Sequence, residues 1–80
     1  MDKNNKTIDV SNQALIKEGN IVHILGAVGG TLGALVETGI PTILLLDNCN
    51  DKESACEGLG FMKKYLKDCI ELLDAIKFED

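Results

Sequence analysis

The sequence predicts a single small α/β domain over residues 1–80, in which two or three mainly parallel strands alternate with helices. Two short apolar runs, residues 21–25 and 40–46, have the length and the β-branched content of buried strands. A glycine-rich stretch follows the first run, as expected for a loop that leads into a helix. A long amphipathic helix is predicted at the end of the chain, because apolar residues recur there every three or four positions.

The first predicted elements are a short strand and a helix. Residues 7–10 (TIDV) alternate as an edge strand does. Ser11 has the side chain of an N-cap for a helix over residues 12–18, and Gly19 stands where a helix in this position ends. After this helix comes the strand at residues 21–25.

The middle of the chain is predicted to continue through the glycines into a short helix and then into the strand at residues 40–46. Pro41 lies near the start of that strand, where a missing N–H costs least. Because helices separate the strands, parallel pairing with right-handed crossovers is expected.

The last helix is predicted to run from a capping box at Ser54 and Glu57 to about Lys77. Its apolar positions follow a heptad pattern: Leu59, Met62, Leu66, Cys69, Leu73 and Ile76. Further apolar residues flank this pattern, so the apolar arc is wider than a small sheet can cover. The pattern therefore predicts an interface for another protein chain on this helix, with four candidate residues: Phe61, Met62, Tyr65 and Leu72.

Composition favours a protein that acts by association rather than by catalysis. A chain of 80 residues buries only about 60–65% of its unfolded surface, so it gains from a second copy or a larger partner. The net charge of −5 and the lack of arginine argue against nucleic acid as a partner. The polar start predicts no signal peptide and a cytoplasmic location, and the three cysteines, without a C-x-x-C pair, predict neither disulfides nor a metal site. No cofactor is expected.

The glycines permit a second function, a phosphate or nucleotide site. The candidate ligand-binding residues are Gly26, Gly29, Gly30, Gly33 and Asp47. A strand, a glycine loop, a helix and an acidic residue after the next strand follow the order of a dinucleotide-binding unit. The spacing G-x-x-G-G-x-x-G differs from G-x-G-x-x-G, however, and the glycines are better explained by a short helix that packs closely on the sheet, which requires no ligand.

A third function, insertion into a membrane, follows from residues 21–46, which contain no lysine or arginine and two overlapping GxxxG pairs. His23, Glu37 and Pro41 lie within this stretch and argue against it.

Two further candidates carry less weight. Cys49 lies just before a helix N-terminus, which can activate a thiol, but its only imidazole partner would be His23 in the middle of a strand. The acidic turn after residue 46 is predicted to be a solvated cap.

Overall fold

The computed structural model describes residues 12–78, and in this range the only regular secondary structure is helical, without a strand. The first helix, α1, covers residues 12–18, and α2 is Ile21–Ala34. A π-helical turn, Leu35–Gly39, joins α2 directly to α3, Ile40–Asn48. The last helix, α4, is Lys52–Asp74. The predicted α/β fold is therefore wrong, whereas the helices at residues 12–18 and in the last third of the chain are confirmed.

The two predicted strands and the predicted glycine loop are parts of one helix of 28 residues, Ile21–Asn48. The apolar runs are short enough to suit either a strand or a buried helix. The glycines between them are helical, although each costs up to about 1 kcal/mol relative to alanine in a helix interior. Asn20 caps its start by accepting a hydrogen bond from the His23 N–H at 3.0 Å. The predicted strand at residues 7–10 lies outside the described residues.

Pro41 lies inside this long helix, and the π-helical turn directly before it explains how. Proline lacks an N–H, and its ring collides with the carbonyl four residues earlier in a regular helix. Here the Ile40 N–H donates to the Leu35 carbonyl, five residues earlier. The resulting π-helical turn is wider than an α-helical turn and ends directly before Pro41.

A three-residue loop folds α4 back along α2 and α3, which makes an antiparallel hairpin. Asn50 adopts a positive φ of 65°, its N–H donates to the Asp47 carbonyl, and the Asp51 N–H donates to the Leu46 carbonyl. These two bonds form a Schellman motif that ends α3. Asp51 then caps α4 by accepting from the Ser54 N–H, so the N-cap is Asp51 and not the predicted Ser54. We call the end of the hairpin that contains this loop the closed end, and the opposite end the open end.

The core of the molecule lies at the open end of the hairpin. Ile24 and Val28 of α2 pack there against Cys69 and Leu72 of α4, and α1 covers this cluster with residues 15 and 16. After α4 the Lys77 N–H donates to the Gly19 carbonyl at 2.9 Å, which joins the end of α4 to the turn between α1 and α2.

We expect Gly19→Ala to lower the free energy of unfolding by about 1–3 kcal/mol. Gly19 has a φ of +68°, and an added Cβ would lie 2.7 Å from Cγ of Lys77. Urea denaturation followed by circular dichroism measures the effect. Gly60→Ala is the control, because a Cβ there meets nothing within 4 Å and alanine favours the helix. A Gly19→Ala protein as stable as the wild type would contradict the strain assigned to this turn.

Candidate interaction surface

The glycines and Asp47, predicted as one ligand site, are separated along a single helix. From Gly26 to Asp47 the distance along the axis is about 32 Å. The backbone N–H groups of the four glycines lie inside the helix, where they bond to carbonyls of the preceding turn. The structure therefore does not form the anion-binding loop from which this site was predicted.

The four predicted interface residues of α4 lie in different surroundings. Leu72 belongs to the core and is 3% exposed, and Met62 is half-buried against α3. Phe61 and Tyr65 are exposed and border a groove of about 260 Å³ beside Leu35 and Leu46. This groove lies on the same broad side of the hairpin as α1.

The opposite broad side of the hairpin is uncovered and apolar. Inward residues such as Cys69 and Leu72 fix the orientation of α4, and the flank turned away from α1 bears four exposed aliphatic side chains over four helical turns. The same flank of the long helix is also aliphatic. We call the combined surface the bare face; its residues are Ile21, Leu25, Leu32, Val36, Ile40, Leu44, Leu59, Leu66, Ile70 and Leu73.

The bare face accounts for most of the exposed apolar surface in the described part of the chain. Of fifteen large apolar residues that are exposed there, ten belong to it, with exposed fractions from 37% to 63%. At about 90 Å² for each of these ten roughly half-exposed aliphatic residues, the bare face offers on the order of 900 Å². The largest apolar patch of a typical monomer is about 300–600 Å².

The two sides of the hairpin, α4 and the long helix, differ in their content of charged residues. The outer surface of α4 bears alternating acidic and basic residues, including Lys64, Lys67 and Glu71, as a solvated helix does. The long helix has only Glu37 and Asp47 as charged side chains, apart from His23 near its start. A helix that is apolar on nearly all sides is normally surrounded by protein or by lipid.

The reactive groups do not assemble into a catalytic site among residues 12–78. Cys49 lies at the closed end, and His23 lies at the open end, where its Nδ1 is 3.1 Å from Glu18 Oε1. About 39 Å of helix separates the two residues. Burial, and to a smaller degree the neighbouring charge of Asp68, raises the pKa of the Cys69 thiol, so this thiol stays protonated. In the described range no three metal-ligating side chains come together.

Six of the ten bare-face residues lie on the long helix, which the sequence does not predict. The sequence predicts the apolar pattern of α4, but it places the matching residues of the long helix partly in two strands and partly in the glycine-rich loop and short helix between them. Their spacings of mostly four residues, from Leu32 through Val36 and Ile40 to Leu44, were a signal for a helix face.

Comparisons with known proteins identify no relative of this chain: no protein family, no curated protein and no solved structure matches it.

Proposed function

We propose that this protein is a non-enzymatic association module, in which two copies pack their bare faces together and form a four-helix bundle. The observation that supports it is the bare face itself, ten aliphatic residues on one side of an antiparallel helix pair. Antiparallel hairpins that pack face to face are a common route to such bundles. Burial of this face supplies the second half of a core that one chain leaves incomplete.

The chemistry of the bare face suits a second copy better than an unrelated partner. Its residues are only Leu, Ile and Val, and such purely aliphatic surfaces are typical of homodimer cores. Interfaces with other proteins are commonly enriched in Trp, Tyr and Arg, which this face lacks. An area on the order of 900 Å² per chain also agrees with the roughly 800 Å² per partner of a stable interface.

The long helix also favours a second candidate, insertion into a membrane. Its most apolar 18-residue window has a mean hydropathy of 1.5 and is 11% buried, so its length and composition suffice to cross a bilayer. However, α4 packs along both α2 and α3. If the long helix entered the lipid, α4 would either enter with it and bring charged side chains into the lipid, or separate from it. Glu37 would also lie near the middle of the span. Association in water requires neither change.

The test compares two neighbouring leucines of equal exposure. Leu44 is 63% exposed on the bare face, and Leu45 is 61% exposed on the other side of the same helix. We expect Leu44→Lys to weaken self-association at least about thirtyfold, because the symmetric interface would then bury two lysines. Leu45→Lys should leave association unchanged. Sedimentation equilibrium measures both dissociation constants.

Circular dichroism checks that both variants keep the helical content of the wild type. A wild-type protein that is monomeric at high micromolar concentration would overturn the proposal. Recovery of the protein only with detergent micelles or lipid vesicles would favour the membrane candidate instead.

A further inference from the structure

We infer that the two hairpins of this dimer lie with their closed ends together, and that Glu37 of each chain pairs with Lys63 and Lys67 of the other. The inference rests on the proposed function and specifies the orientation of the partner copy. It depends on where three charged residues lie on the two edges of the hairpin.

Glu37 lies on the edge of the hairpin formed by the long helix. Leu35 and Gly39 face α4, since a Cβ on Gly39 would lie 3.5 Å from Met62 Cε and Leu35 lines the groove beside Met62. Glu37 is halfway between them in the π-helical turn and therefore points away from α4. It is exposed and forms no ion pair with any other residue that the structure describes.

Lys63 and Lys67 lie on the opposite edge, at the same level along the hairpin. Lys63 follows Met62, which contacts the π-helical turn, so both lysines lie within about one helical turn of the level of Glu37. They stand one turn apart, next to Leu66 and Ile70 of the bare face. Lys64 differs, because it faces the side covered by α1.

Two symmetric arrangements bring two bare faces together, and they pair these charges oppositely. If the two-fold axis runs parallel to the helices, α4 of one chain covers the long helix of the other, and Glu37 meets the partner's Lys63 and Lys67. If the axis runs across the helices, α4 covers α4, so that lysines face lysines and Glu37 faces the partner's Glu37. Unlike charges attract at an interface rim and like charges repel, so the first arrangement is favoured.

The first arrangement also brings the two closed ends together, and these ends are acidic. Asp47, Asp51, Glu53 and Glu57 outnumber Lys52 there. These groups are exposed, so salt weakens the repulsion between the two closed ends. Lys52 Nζ also lies 3.6 Å from Asp47 Oδ1 and neutralises part of the negative charge. The Glu37 pairing lies at the rim, midway along the helices, where opposite charges meet in this arrangement and like charges meet in the other.

The first experiment measures the dimer dissociation constant of Glu37 variants. We expect Glu37→Gln to weaken the dimer severalfold and Glu37→Lys to weaken it about tenfold or more, because attraction becomes repulsion at two equivalent places. Glu37→Lys combined with Lys63→Glu and Lys67→Glu should restore the wild-type value within about threefold. Glu18→Lys is the control, since it makes the same change of charge on α1, which lies on the broad side opposite the bare face.

The second experiment measures where the closed ends lie. A spin label on Cys49 in a Cys56→Ser chain, with Cys69 buried, reports the distance between the two closed ends by pulsed electron paramagnetic resonance. We expect a distance below about 25 Å. The arrangement with the two-fold axis across the helices would instead place the labels at opposite ends of helices about 42 Å long.

The two experiments separate this inference from the proposed function. A dimer whose closed ends lie far apart, or one that Glu37→Gln strengthens or leaves unchanged, would overturn the inference and leave self-association standing. A chain that forms no dimer would overturn both.

Discussion

Replacement of Ile24 with alanine is expected to lower the free energy of unfolding by about 2–5 kcal/mol. Ile24 is 0% exposed and contacts the cluster that joins α1, α2 and α4. Its truncation removes buried apolar surface and leaves a cavity that the few neighbouring residues cannot fill. Because a small domain has only a few kcal/mol of stability in total, we expect this variant to be largely unfolded at 37 °C.

Val22→Ala is the matched control for Ile24→Ala. Val22 lies two residues earlier on the same helix and is 72% exposed, so its truncation should change the free energy of unfolding by no more than about 0.5 kcal/mol. Urea denaturation at one fixed protein concentration compares the two variants. Equal losses of stability would show that the core at the open end is not where the structure places it.

Thermal stability should depend strongly on protein concentration. If the folded state is a dimer and the unfolded state is a single chain, each tenfold increase in concentration stabilises the dimer by about 1.4 kcal/mol. A thousandfold range therefore covers about 4 kcal/mol, which is comparable to the whole stability of a domain of this size. Circular dichroism in cells of different path length measures the melting temperature over this range.

The same measurement on Leu44→Lys supplies the control. This variant should melt at a lower temperature, which should change little with concentration over the range where it stays monomeric. A wild-type melting temperature that is independent of concentration would mean that the hairpin is stable without a partner, which contradicts the need to cover the bare face.

Local signals in the sequence predicted two helices correctly, one from the residues at its ends and the other from its apolar period. Ser11 before residues 12–18 and Gly19 after them predicted a helix there, and Gly19 has the positive φ that ends such a helix. The periodic apolar residues of the last third predicted α4, which covers Lys52–Asp74. Cys69 belongs to that apolar pattern, and it is buried in the structure.

The strands were predicted wrongly because short apolar runs do not distinguish a strand from a helix. Residues 21–25 and 40–46 contain β-branched residues and are bounded by glycines, which favours strands when each run is considered alone. In the folded chain the two runs belong to one helix, because α4 packs along it. This packing stabilises the helix enough to offset the unfavourable free energy of its glycines and Pro41. The dinucleotide-type order of elements depended on those strands and is absent with them.

Three properties follow from the residues alone: the amphipathic character of α4, the end of the first helix and an apolar content too large for so short a chain to bury. The alignment of the apolar residues of α2 and α3 with those of α4 on one face follows only from the packing of the helices. The reason is physical: helical periodicity fixes the side of a helix on which a residue lies, whereas the rotation of one helix against another depends on packing between residues far apart in sequence. Leu32 and Leu66 lie on the same face because Ile24 and Val28 pack against Cys69 and Leu72.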